Sequence, residues 1–180
     1  TDTTQPEGFL FLAPAADLGK PEIGWKKISA FQDKITEVAL KGNDLYFLTY
    51  ADAPRRHIMK LDLRKPDLRD AVEVAVPPED TVLQGFELTR DALIAAIREG
   101  TEVVLRRYRP GDVAGEAVAM PFKGAAYVHG DPAHAYSDVV YSLSGWTSPP
   151  PSTSTRPGSR RPYGPSCWAG PNAPRASRPE

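Results

Sequence analysis

Three histidines (His57, His129, His134) and a close pair of serines (Ser142, Ser144) in this 180-residue chain are of types that could support nucleophilic chemistry. A serine hydrolase holds its hydroxyl on a sharp strand–turn–helix elbow, Gly-x-Ser-x-Gly. It also needs a histidine to take the proton and an acid to orient that histidine. The run Tyr141-Ser-Leu-Ser-Gly-Trp146 lacks the first glycine and any helical pattern behind it, so both serines are expected on a strand and its turn. His57 lies in an alternating strand pattern with no partner implied by spacing. His129 and His134 flank Asp131 in a loop that could hold a metal weakly. Their spacing and Pro132 exclude the helical i, i+4 pair of a zinc site, and the loop reads as a connector. Cys167 is the only cysteine, which leaves no disulfide framework and no thiolate metal site. No glycine-rich phosphate loop occurs. The expectation is no catalytic residue, no cofactor or cofactor-binding residue and no metal ligand.

Three aspartates share a fixed beat. Asp44, Asp91 and Asp138 are 47 residues apart, and each opens an alternating apolar segment. They could form an acidic ring around a channel, but turn-fixing hydrogen bonds to the backbone are the favoured reading. Arg55-Arg56 and Arg106-Arg107 alternate with apolar residues, which predicts solvated strand faces with some side chains available to a channel. Trp25, Tyr46 and Trp146 are expected to pack between sheets.

The elements that would position these residues are short strands. Ile35–Leu40 alternates and ends in Lys41-Gly-Asn-Asp44, a hairpin turn. Strands follow over 44–50, 57–62 and 71–76, closed by Pro77-Pro78. The next unit repeats this grammar over 82–89, 91–99 and 101–109, with Gly100 and Pro110-Gly111 as turns. Leu88, Leu93, Ile94 and Ile97 make a rough helical face, but the 47-residue register with 44–50 predicts a strand. Four-stranded units at this period are the mark of a β-propeller, in which each blade buries its apolar face against its neighbours. The expected fold is all-β: an incomplete β-propeller of about three four-stranded antiparallel blades over residues 1–148, followed by a disordered tail over 149–180.

That tail differs in kind. It holds nine prolines and five arginines, with no Leu, Ile, Val, Phe, Met or Lys. Such a composition buries too little apolar surface to offset ordering entropy. The tail carries +4 of charge, which leaves −5 on the rest of a chain whose net charge is −1. Five spread charges with two aromatics, Tyr163 and Trp168, make a poor nucleic-acid binder. No run approaches 18 apolar residues, so neither a nucleic acid nor a membrane is an expected partner.

The beat of 58 and 105 falls next at 152, where Ser152-Thr-Ser-Thr155 stands. Serine codons of the TCN type, read one base earlier, end in TC and encode Val, Ile, Leu or Phe. Threonine codons likewise give Tyr, His, Asn or Asp. A strand such as Val-Tyr-Val-Tyr can therefore lie in the adjacent frame. The tail is expected to be an out-of-frame reading of GC-rich DNA that begins near Pro149–Pro151.

The run from Trp25 to Pro150 resembles the N-terminal propeller of the prolyl oligopeptidase family. The carrying residues are Trp25-Lys-Lys-Ile28, Lys41-Gly-Asn-Asp-Leu-Tyr-Phe-Leu-Thr49 with Ala53-Pro54, Pro77-Pro78, Met120-Pro-Phe-Lys-Gly124 and Ser144-Gly-Trp-Thr-Ser-Pro-Pro150. The resemblance implies part of a seven-bladed propeller capping an α/β-hydrolase domain, a partner that this stretch does not contain. It implies a gate admitting short peptides to a buried Ser-His-Asp site that cleaves after proline, with no catalysis by the propeller alone. The alternative is a stand-alone, non-catalytic propeller-type binding module. Either way, about three blades leave two apolar blade faces uncovered, which predicts marginal stability or aggregation.

Overall fold

The computed structural model describes residues 6–131 and 133–145, together with the backbone of 152–155. Among the described residues there is no α-helix. A short antiparallel pair, β1 (Phe11–Leu12) and β2 (Lys26–Lys27), precedes three larger sheets. The first sheet is β3 (Ile35–Lys41), β4 (Asp44–Thr49), β5 (His57–Asp62) and β6 (Val72–Ala75). The second is β7 (Thr81–Leu88), β8 (Leu93–Glu99), β9 (Glu102–Tyr108) and β10 (Glu116–Ala117). The third is β11 (Ala125–His129), β12 (Val139–Ser144) and β13 (Ser152–Thr155). Every sheet is an antiparallel meander in chain order, so the described blades are two of four strands and one of three.

Two of the hairpins are set by glycine. Lys41 pairs with Asp44 and Glu99 with Glu102, which leaves two-residue loops. Their first residues are Gly42 at φ 60° and Gly100 at φ 61°. Asn43 and Thr101 stay at negative φ, so both turns take the form that needs glycine at its first central position. The register argument against a helix over 88–97 holds, because β8 crosses that stretch as a strand.

The three sheets stack face to face. Leu48, Ile58 and Ala75 of the first sheet meet Leu83, Phe86, Leu88, Ile97 and Tyr108 of the second. On the other face of the second sheet, Ile94, Ala96, Val103 and Leu105 meet Ala126, Val139, Tyr141 and Leu143 of the third. The second sheet is therefore covered on both sides. This explains why Leu93–Ile97 is buried without alternation, while β7 alternates between buried and partly exposed residues. The outer face of the first sheet, with Ile35, Leu45, Phe47 and Leu61, is partly roofed by Leu10 and Ile28 of the N-terminal segment. The far face of the third sheet leaves Tyr127 65% and Val140 46% exposed.

The repeat extends to individual residue pairs. Shifting Leu48↔Ile58 by two beats of 47 lands on Ser142↔Ser152, which is an observed pair. In the second sheet the same shift is off by one: Ala95 faces Arg106 and Ala96 faces Leu105. Four residues of the segment expected to be disordered, Ser152–Thr155, thus run as a strand beside β12. The rest of 149–180, like Trp146, lies outside the described residues. Trp25 departs from expectation. It is 54% exposed and belongs to no described cluster.

Candidate functional site

The first strands of successive sheets adjoin, β3 to β7 and β7 to β11, so they line up around one side of the stack. Each is an edge strand. An edge strand points every second backbone N–H and C=O away from its sheet, where no ladder partner waits. The candidate site is this line of inner edges together with the junctions beside it.

Two glutamates reach along the line. Glu37 on β3 accepts a long hydrogen bond from the Phe86 N–H at 3.5 Å and lies against Gly85, where an added Cβ would stand 3.1 Å from its carboxylate. Glu87 on β7 lies in the same way against Gly130, just past β11, where a Cβ would overlap its carboxylate. Glycine at both places lets a side chain from one blade touch the backbone of the next. Burial pushes the Glu37 carboxyl above its ordinary range, and the nearby Glu87 charge adds to this. The Phe86 N–H and the Arg56 charge act against it.

Side-chain nitrogens meet the free carbonyls at one end of the line. Lys41 Nζ donates to Thr89 O and Arg90 O, both at 2.7 Å. His134 presents Nε2 to Leu40 O at 2.8 Å and Nδ1 to Leu88 O at 3.1 Å. The His134 backbone is left-handed at φ 49°, and the turn is held by Asp131, whose carboxylate accepts from Ala133 N and Ala135 N at 3.0 Å each. Those two amides hold the Asp131 carboxyl below the usual carboxylate range, helped by the His134 charge.

Beside this end a groove of about 610 Å³ opens between the first and second sheets, lined by Lys41, Asp44, Tyr46, Lys60, Asp91 and Tyr108 among others. Asp44 accepts from Lys60 Nζ at 3.2 Å, and Asp91 pairs with Arg107 at 3.2 Å. The favoured expectation, that these aspartates act on their own turns, is therefore corrected for Asp44 and Asp91. Asp44 and Asp91 each bind the third strand of their own sheet. Burial works to raise the Asp91 carboxyl, but the Arg107 guanidinium and the Thr89 and Ser137 hydroxyls leave it below its ordinary range. The sequence did carry a signal for this arrangement. A cation follows each of these aspartates by 16 residues, at Lys60 and Arg107, on the 47-residue beat.

The arginines expected on solvated faces also stitch the structure. Arg55 donates to Pro78 O at 2.9 Å and Arg106 to Gly115 O at 2.9 Å. Tyr46 packs against the core between the first two sheets, as expected. His57, for which spacing implied no partner, places Nδ1 2.7 Å from Glu73 Oε2 across β5 and β6.

The serines lie on β12. His129 Nε2 stands 3.2 Å from Ser142 Oγ. Among the described residues no acid orients this histidine, and the serine sits on an open strand face instead of an elbow. The pair therefore lacks the parts of a triad. His129, Asp131 and His134 do not converge, because Asp131 turns to amides and His134 to carbonyls. Among the described residues no group of three His, Cys, Asp or Glu side chains could hold a metal ion.

The sequence matches the family model of the prolyl oligopeptidase N-terminal β-propeller domain over residues 9–153. Among solved structures, the ligand-free prolyl oligopeptidase B of Galerina marginata is similar at 19% identity and TM-score 0.72, covering 86% of this chain and 22% of that one. The same enzyme bound to a 35mer hydrolysis and macrocyclization substrate is similar at 20% identity and TM-score 0.67, covering 81% of this chain and 21% of that one. A prolyl endopeptidase, one of two analysed for inter-domain dynamics in catalysis and specificity, gives 18% identity and TM-score 0.67, covering 80% and 21%. The chain thus spans about a fifth of the length of these structures. No curated protein matches it.

Proposed function

The chain belongs to the prolyl oligopeptidase N-terminal β-propeller family, and from that premise we propose that its blades are part of the gate of a serine peptidase. The observation that carries the reading is the line of inner edges β3, β7 and β11, which gives successive blades a common axis along which short peptides would pass. Hydrolysis would belong to a Ser-His-Asp site on an α/β-hydrolase domain, the partner against which this propeller would sit. The blades would contribute size selection and no bond-making group.

Turnover of chromogenic peptides carrying an internal proline tests the reading. The purified chain is expected to be inert. Joined to its own downstream hydrolase domain, it is expected to cleave short peptides and to spare folded proteins. Hydrolysis by the chain alone would overturn the division of labour. A coding sequence without a downstream Gly-x-Ser-x-Gly segment in any frame would leave a stand-alone binding module instead.

Residues 149–180 are further proposed to be an out-of-frame reading. The support is that Ser152-Thr-Ser-Thr155 occupies the strand position that the beat assigns, while carrying none of the apolar residues of its counterparts. The coding DNA is expected to continue as propeller-like sequence in the adjacent frame, and an early stop codon there would refute this.

A further inference from the structure

We infer that His134, in its doubly protonated form, is a pH-dependent staple that holds the inner edges of the first and second blades together. The argument begins with what a carbonyl can do. A backbone oxygen accepts hydrogen bonds and never donates one. Nε2 of His134 faces Leu40 O at 2.8 Å, and Nδ1 faces Leu88 O at 3.1 Å. Both contacts are hydrogen bonds only when both ring nitrogens carry hydrogen, which is the imidazolium. Either neutral tautomer would aim a nitrogen lone pair at an oxygen lone pair.

The two carbonyls belong to different blades. Leu40 lies on β3 and Leu88 ends β7, and both strands are sheet edges. His134 comes from the loop between β11 and β12, in a third blade. One side chain thus bridges the free edges of two blades from a third, across sequence separations of 94 and 46 residues. The loop is shaped to deliver it. Asp131 cages the turn by accepting from Ala133 N and Ala135 N, and the His134 N–H closes it on Asp131 O at 2.8 Å. Further along the loop, the Arg90 N–H donates to Tyr136 O at 2.8 Å.

The charged groups on the packed elements are accounted for. From β3, Lys41 spends its ammonium on Thr89 O and Arg90 O. From the β7 side, the Glu87 carboxylate lies beside Gly130, Arg90 donates to Ser137 Oγ and Asp91 pairs with Arg107. From its own loop, Asp131 supplies a nearby negative charge, and Asp138 has an interaction of its own. Lys41 and His134 together bind a run of carbonyls at Leu40, Leu88, Thr89 and Arg90, and of the two side-chain types imidazole is the proton switch. The staple is whole in mildly acidic solution and is released as pH rises, because deprotonation removes one of its two donors. In a propeller that loss loosens neighbouring inner edges, where the axial passage runs. The inference stands on this geometry whether or not the propeller serves a peptidase.

Histidine-selective 15N labelling of the chain tests it directly. At pH 5.5 both ring nitrogens of His134 are expected to carry hydrogens that exchange slowly with water, with His57 and His129 as comparators in the same spectrum. A bare ring nitrogen on His134 in the folded chain at pH 5.5, or two freely exchanging ring hydrogens, would overturn the staple. Thermal unfolding at pH 5.5 and pH 8 supplies the second arm with the unaltered chain, His134→Phe and His134→Gln. Between the two pH values the unaltered chain is expected to lose about tenfold more in its folding equilibrium than the Phe variant, the size of one charge-assisted hydrogen bond. The Gln variant, whose amide donates without titrating, is expected to share the flat pH response of Phe at a higher melting temperature. Equal pH responses in the unaltered chain and the Phe variant would refute the inference. If the Phe variant does not fold, the ring spectrum of the unaltered chain decides alone.

Discussion

The junction between the first and second blades and the junction between the second and third bury similar apolar side chains, yet they are finished differently. At the first, polar groups cross to meet backbone atoms. Tyr108 OH donates to Val76 O at 3.0 Å, Lys41 and His134 bind carbonyls, and Glu37 reaches Phe86 N. At the second, the largest buried side chain is Tyr141, which is fully enclosed, and its hydroxyl finds no partner among the described residues. The backbone there is tied by Val103 N to Gly124 O at 2.9 Å and by Arg90 to the loop before β12. Both junctions therefore combine apolar burial with polar crossings, and at the first more side chains reach the backbone of the neighbouring blade.

The sharpest way to break that contrast is to hollow the second junction. Leu143 is completely buried, and Leu143→Ala should cost about 3 kcal/mol, from the lost transfer energy and the cavity left behind. The midpoint of urea unfolding measures it. A loss under about 1 kcal/mol would mean that the third blade is not held by this core. Next comes Gly124, which immediately precedes β11. A Cβ there would overlap the Ser144 carbonyl oxygen, which is backbone and cannot swing away. Gly124→Ala should cost about 2 kcal/mol, read by the same midpoint. Gly124→Ala folding as well as the parent would show that the β11–β12 edge has slack.

The two tyrosines then sharpen the contrast by sign. Tyr108→Phe removes a made hydrogen bond and should destabilise by about 1 kcal/mol. Tyr141→Phe removes an unmatched buried hydroxyl and should stabilise by about 1 kcal/mol. Melting temperatures that move in the same direction would erase the distinction between the junctions. The smallest effect belongs to Glu37. Its carboxyl is raised by burial, so the folded state favours the protonated form. The stability this gives is full below the unfolded carboxyl range and is lost as pH rises through the folded value. Glu37→Gln keeps the acceptor for Phe86 N without the charge. It should raise the melting temperature slightly at pH 7 and leave it unchanged near pH 3. A variant that is less stable at pH 7 would show that the Phe86 contact needs the charge.

Much of the fold is legible in the sequence because its cause is local and repeated. Gly42 and Gly100 announce their turns, and Asp44, Asp91 and Asp138 keep time for the strands behind them. The beat decides against a helix at 88–97, where apolar spacing alone is ambiguous because the strand is buried on both faces. The candidate site is far less legible. Lys41 and His134 act on backbone carbonyls, and a carbonyl has no identity in a sequence, so nothing marks Leu40 or Leu88 as a partner. Glu37 and Glu87 become neighbours only when two blades stack. The Asp44–Lys60 and Asp91–Arg107 pairs are the exception. Their shared 16-residue spacing was available to be read, and turn chemistry obscured it.

The apolar faces of each described blade meet only the layer before and the layer after, and His134 alone of the side chains named above reaches two layers back. Such a molecule can gain or lose length in whole units without rewriting the units that stay. Its natural increment of change is the duplicated module.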